Sequence, residues 1–237
     1  MPWVRLHGAK DYLDMVKILK SYPRIHQVFN LVPSLVEQIE EYNNNTVKDR
    51  FLELSYKPAA DLTSQDKQFI LERFFSIDKD HVTSMHPRYY ELFFKKQANK
   101  EFSTQDYLDL QVWFNLAWTD PYFREDIPEL RELVNKGRFF TEEEKQAVLD
   151  KQRYILEDIL PTYKEFMATG QIELTVSPFY HPILPLLYNT KVAKEANPHA
   201  LLPKTDFIYP QDAKAQIDNA VKFCLEVRGS APRYVAI

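Results

Sequence analysis

The densest chemistry in the sequence lies in two short runs, Gly170-Gln171-Ile172-Glu173 and Tyr180-His181-Pro182. In and after the first, Ile172, Leu174 and Val176 alternate with Glu173, Thr175 and Ser177, the period of a strand with one apolar and one polar face. In a parallel barrel, polar side chains on such a face can point inward, toward the end where active sites are built. A carboxylate there, with a Tyr-His pair in the following loop, could bind a polyhydroxylated ligand. A lone strand glutamate is more often solvent-facing or paired, and a loop histidine beside proline is more often structural. Spacing alone leaves both readings open.

The other reactive residues offer less. His81 and His86 lie outside the H-E-x-x-H spacing, and no nearby acid completes a zinc set, so no metal site is expected. The single cysteine, Cys224, excludes an intrachain disulfide framework and sits on an apolar helix face, where a buried thiol is expected. No G-x-S-x-G elbow is present. Trp113, Trp118, Tyr122 and Phe123 could stack on sugar rings, but at helical spacing they read as core. The four glycines, at 8, 137, 170 and 229, build neither G-x-G-x-x-G nor a Walker loop, so no nucleotide cofactor is expected.

The elements that must hold these residues are mostly helical. Average glycine usage of about 7% would give roughly seventeen glycines in a chain of this size, and the shortage argues against a turn-rich β-sandwich. The 237 residues are 45% hydrophobic and 27% charged, an ordinary globular balance. A net charge of −4 supplies no basic field for nucleic acid, and no apolar run approaches a membrane span. The N-terminus lacks the layout of a signal peptide, so a cytoplasmic protein is expected. Tyr12, Met15, Val16 and Leu19 predict a helix over 9–20, ended by Pro23. Ile25–Leu31 reads as a strand and Ser34–Tyr42 as the next helix.

Residues 46–169 contain no convincing strand. Thr63, Ser103 and Thr141 each open a helix, Thr141 with Glu144 forming a capping box. The last of these helices should run to Gly170, kinked at Pro161. A strand over Ile172–Val176, a proline-rich loop and a helix over Asp212–Val227 follow. Strands linked by a long helical crossover point to part of a parallel α/β sheet or barrel.

Four segments, in this order, resemble glycoside hydrolase family 57 of the α-amylase and amylopullulanase type. They are PWVRLHGAKDYLDM (2–15), FNLVPSLVEQIEEY (29–42), DLQVWFNLAWTDPYFRE (109–125) and GQIELTVSPFYHPILPLL (170–187). The resemblance implies an incomplete, seven-stranded parallel (β/α) barrel acting on α-glucans with retention, which needs two carboxyl groups roughly 5–5.5 Å apart. It also implies a nucleophile Glu in a Trp-Pro-x-Glu motif after a helix like Asp212–Val227, and an acid/base Asp further on. Here Gly229-Ser230-Ala231-Pro232-Arg233 leads to Tyr234-Val235-Ala236-Ile237 instead, and no His-Gln-Pro motif precedes Pro2. His26-Gln27 is followed by Val28 and is not that motif.

The resemblance therefore assigns no catalytic residue. Gln171, Glu173, Tyr180 and His181 become candidates for binding an α-glucan or malto-oligosaccharide. The expected organisation is residues 1–45 as the first strand-helix units, 46–169 as a helical insertion and 170–237 as a barrel strand, site loop and helix. The expected protein is a fragment of a family 57 enzyme, truncated at both ends and inactive alone, with the missing C-terminal half as a partner. A glucan-binding or complementing module, or a gene remnant, is the alternative.

Overall fold

In the computed structural model, which describes residues 1–228, several helices start where a short polar side chain closes their first turn, as at Asp49, Thr63, Ser103 and Asp120. The chain opens with α1 (Trp3–His7), a π-helical turn (Gly8–Tyr12) and α2 (Asp14–Lys17). Strand β1 (Gln27–Leu31) and α3 (Pro33–Asn43) follow. A run of helices comes next: α4 (Arg50–Tyr56), α5 (Ser64–Arg73), α6 (Pro87–Gln97), α7 (Thr104–Ala117), α8 (Pro121–Asp126), α9 (Pro128–Lys136) and α10 (Glu142–Ala168). Then come β2 (Ile172–Val176), α11 (Leu184–Tyr188), α12 (Ala193–Ala196) and α13 (Pro210–Arg228).

The capping signals act where the sequence places them. Thr63 with Asp66 and Ser103 with Asp106 form reciprocal boxes at α5 and α7. The Thr141 amide donates to Glu144 at 2.8 Å, and the Glu144 amide donates back to the Thr141 hydroxyl at 3.2 Å. Pro161 lies inside α10, and Gly170 follows it at φ +75°, a left-handed conformation that suits glycine.

Three expectations change. The first helix begins at Trp3, and its π turn inserts a residue into the helical period. Leu6, Ala9, Leu13 and Val16 therefore form the buried stripe, and Met15, expected on it, faces solvent. The strand expected from Ile25 begins at Gln27, because the Ile25 amide closes a turn onto the Tyr22 carbonyl. The last helix begins at Pro210, where proline's fixed φ suits a first helical turn. The departure from the family pattern after Gly229 lies outside the described residues.

The chain divides into two compact units. The first comprises Met1–Ile18 with Tyr42–Leu160 and is helical throughout its regular structure. Its core surrounds α7, whose residues from Tyr107 to Ala117 are all buried. Phe74 and Phe114 stack there at 4.4 Å, beside Phe51. Buried Arg88 bonds Asp106 at 2.7 Å and Asp109 at 2.8 Å, so these charges enter the core as partners rather than alone.

The second unit comprises Leu19–Glu41 and the chain from Pro161 onward. Here β1 and β2 pair in parallel, with Val28 opposite Glu173 and Asn30 opposite Thr175. Among the described residues these two strands form the whole sheet. The architecture is thus a helix-dominated α/β chain with one parallel strand pair. Val176 on β2 packs with Ala220 and Cys224 of α13, which places the thiol in the core.

Candidate functional site

Alternation along β2 does what its sequence requires. Ile172, Leu174 and Val176 are buried, while Glu173 and Thr175 are half-exposed on the opposite face. Ser177, expected to continue that polar face, is instead fully buried. It accepts a hydrogen bond from the Asn30 amide at 2.7 Å, and the Thr175 hydroxyl donates to the Asn30 carbonyl oxygen at 3.1 Å. Asn30 thus ties the polar faces of both strands together. Asparagine is depleted in strands, so its place inside the Val28-Phe29-Asn30-Leu31 run is the signal that could have marked it.

Gln171 anchors the start of the strand. Its side-chain nitrogen lies 2.8 Å from the Leu19 carbonyl, 3.1 Å from Tyr22 and 3.2 Å from Ile25. The His26 ring donates to the Gly170 carbonyl at 3.1 Å, closing the same corner. Gln171 therefore positions β2, with its amide nitrogen committed to backbone.

Tyr180 and His181 sit on the loop leaving the carboxyl end of β2. Two bonds to one residue of α13 hold this loop. The Phe179 amide donates to the Gln216 carbonyl at 3.1 Å, and the Tyr180 amide donates to its side chain at 2.8 Å. Phe179 also packs against Phe223 at 5.7 Å, and the Ser34 amide donates to the Phe179 carbonyl at 3.2 Å. The loop after β2 is thus joined to the first turn of α3, the helix that follows β1. Tyr180 is 67% exposed, and His181 takes a left-handed φ of +52° beside it. A non-glycine residue held in that conformation is costly and is kept only where its surroundings impose it. Here the His181 amide bonds the Pro178 carbonyl at 2.7 Å. The unit offers a half-exposed carboxylate, a hydroxyl and a carboxamide on one sheet face. An exposed phenol and imidazole sit on the loop at its carboxyl end, and these are groups that hydrogen-bond and stack on polyols.

The remaining sequence candidates separate cleanly. Trp113, Trp118 and Phe123 are buried as expected, but Tyr122, next to Phe123 in the short helix α8, is 52% exposed. Exposed His81 pairs with Asp78, and buried His86 stacks on Trp113.

A second cluster, on the first unit, escaped sequence reasoning. The π turn places His7 on Asp11 through Nδ1, with Trp3 and Trp118 rings at 5.7 and 6.0 Å from the imidazole. Burial pushes the Asp14 carboxyl up, and the Asp11 charge adds to it. Burial likewise raises Asp120, aided by Asp14 and Asp11 and opposed by the Tyr122 amide. The His7/Asp11 spacing of four on a helix was the available signal. Among the described residues no group of three or more His, Cys, Asp or Glu is arranged to hold a metal ion. No helix of the described residues is long and apolar enough to cross a membrane.

A family model described as "Glycosyl hydrolase family 57" matches residues 1–236. No curated protein and no solved structure matches the chain.

Proposed function

The chain belongs to glycosyl hydrolase family 57, a family of carbohydrate-active enzymes, and from that membership we propose that its substrate is an α-glucan. Glu173, Tyr180 and His181 contact the sugar, and Gln171 acts by fixing the strand that presents Glu173. One observation carries this reading: the polar faces of β1 and β2 and the clamped Tyr180-His181 loop belong to one unit, with the loop leaving the carboxyl end of β2. That is the end at which parallel α/β folds bind ligands.

Retention of configuration needs a carboxylate nucleophile and a second carboxyl as acid/base. Glu173 corresponds to neither in the family resemblance, and the 237 residues contain no Trp-Pro-x-Glu. In this reading Glu173, Tyr180 and His181 bind glucan and take no part in the covalent and proton-transfer steps, which the family mechanism gives to two other carboxyl groups. A buried or half-buried carboxylate bonded to sugar hydroxyls contributes about 1.5–3 kcal/mol, so Glu173→Gln should weaken binding about tenfold or more.

Affinity electrophoresis in amylose gels, with maltoheptaose as competitor, measures this directly. Retardation of the wild-type chain, reduced by Glu173→Gln and by Tyr180→Ala, is the expected result. Amylose hydrolysis by the purified chain that disappears with Glu173→Gln would overturn the assignment of Glu173 as a binding residue. Retardation indifferent to both substitutions would overturn the site.

A further inference from the structure

A small pocket in the first unit, apart from the residues discussed above, carries unused hydrogen-bonding capacity. Its floor is Arg5, only 2% exposed, and its lining includes Asn43, Tyr56, Gln152 and Arg153. The Arg5 guanidinium is held on two sides. Its Nε donates to Asp49 at 3.2 Å, and Nη1 donates to Asn115 at 2.8 Å and to Gln152 at 2.9 Å. Its Nη2 is buried and has no partner. On the same pocket, the Asn43 side-chain oxygen is also buried without a partner. Arg153 holds the Asn43 backbone carbonyl at 3.3 Å and pairs with Glu157 at 2.9 Å, which fixes the rim.

The two orphaned atoms define the chemistry that would satisfy them. One is a donor on a cation and the other is a neutral acceptor. An anion can accept from Arg5 but has nothing to donate to Asn43. A metal or ammonium ion can serve Asn43 but is repelled by Arg5. A hydroxyl group both accepts and donates, so hydroxyl-bearing molecules complete the set. The cavity measures about 30 Å³, above the roughly 10–15 Å³ that one water or hydroxyl requires. One hydroxyl fits inside, and a sugar ring does not. Tyr56, 37% exposed, supplies an aromatic surface against which a ring could rest at the mouth. Burial presses the Arg5 guanidinium toward lower basicity, against the stabilising Asp49 charge.

We propose that this Arg5/Asn43 pocket is a polyol-binding site on the first unit, taking a hydroxyl or hydroxymethyl group of a saccharide while the ring packs on Tyr56. The choice of a saccharide among polyols rests on the carbohydrate class proposed above; the hydroxyl chemistry does not. No bond is made or broken at this site. It serves as an anchoring point for carbohydrate separate from Glu173.

The test is a titration of the full chain, labelled with nitrogen-15, with glycerol as the minimal probe and maltotriose as the saccharide. The guanidinium resonances of Arg5 and the amide of Tyr56 report binding. Both should move with either ligand, and the maltotriose affinity at this site should fall about fivefold in Tyr56→Ala and in Asn43→Ala, the effect of a lost neutral contact. These substitutions leave the Arg5–Asp49 pair in place, and a thermal melt confirms folding of each variant. Arg5 resonances unmoved at saturating glycerol, or moved equally in wild type and both variants, would overturn the site and leave a bridging water as its only occupant. Glu173→Gln separates the two proposals, since loss of amylose retardation with unchanged Arg5 shifts tests only the second unit. A chain that fails to bind amylose but still moves Arg5 with glycerol overturns the glucan reading alone.

Discussion

At the scale of single residues, His86 shows how a side chain with catalytic chemistry is diverted to structure. The imidazole is buried, stacked on Trp113 at 4.5 Å, and its Nε2 accepts from Arg124 Nη1 at 2.9 Å. Only the neutral ring can accept that bond. Burial, followed by the nearby Arg124 charge, lowers its pKa from 6.5 to about 4. Because the folded value lies below the unfolded one, the unfolded chain binds more protons between them. The contribution of neutral His86 is complete above about pH 6.5 and is lost as pH falls toward 4. Asp14 and Asp120, raised by burial, act in the opposite sense, since their folded forms hold protons longer on the way up in pH. Comparing melting temperatures of wild type and His86→Gln across this range isolates the histidine. The variant should show the flatter curve between these two values, and parallel curves would refute the assignment. The sequence carries only the expectation that His86 binds no metal. Its stacking on Trp113 was hidden because the two residues come from α7 and the turn before α6.

At the scale of elements, local chemistry was legible and non-local chemistry was not. Thr63, Ser103 and Thr141 could be read because a cap and its partner lie three residues apart. The alternation of Ile172–Val176 was readable for the same reason. The π turn of Gly8–Tyr12 leaves no mark in residue type, so the period fitted to 9–20 placed Met15 on the wrong side. The Asn30–Ser177 bond depends on a strand register set across the long crossover from α3 to α10, and no short window contains it. Gly170 gives a clean test at this scale, since it ends the chain's longest helix immediately before the candidate strand. A Cβ placed there meets nothing within 4 Å, so any effect of substitution comes from φ +75° alone. Gly170→Ala should destabilise the protein by about 1–2 kcal/mol, the penalty of a left-handed L-residue. Gly170→Asn should recover part of that loss, because asparagine tolerates this region. Urea unfolding at fixed pH measures both, and equal midpoints for Gly, Ala and Asn would show that the turn does not constrain the entry to β2.

At the scale of the whole molecule, the two units differ in how much apolar structure protects their backbone. The first buries every residue from Tyr107 to Ala117 of α7 within a continuous aromatic and aliphatic core. Among the described residues the second rests on a two-stranded parallel pair whose β1 face is open, with Val28 64% exposed. Small sheets of this kind are marginal unless a covering layer protects them. Local opening free energies follow buried apolar contact, so the units should exchange amide hydrogens on separate timescales. The expectation is slowest exchange along α7, and faster exchange at β1, β2 and the Phe179–His181 loop. Malto-oligosaccharide should slow exchange in the second group, because a ligand that binds only the folded form adds its binding free energy to the opening cost. If the candidate site lies elsewhere, added sugar would leave β2 and its loop unchanged while protecting some other segment. If instead the whole chain opens as one cooperative body, α7 and β2 would exchange at one common rate. Hydrogen-exchange mass spectrometry, with and without maltoheptaose, distinguishes these outcomes in one experiment, because α7 and β2 fall on separate peptides.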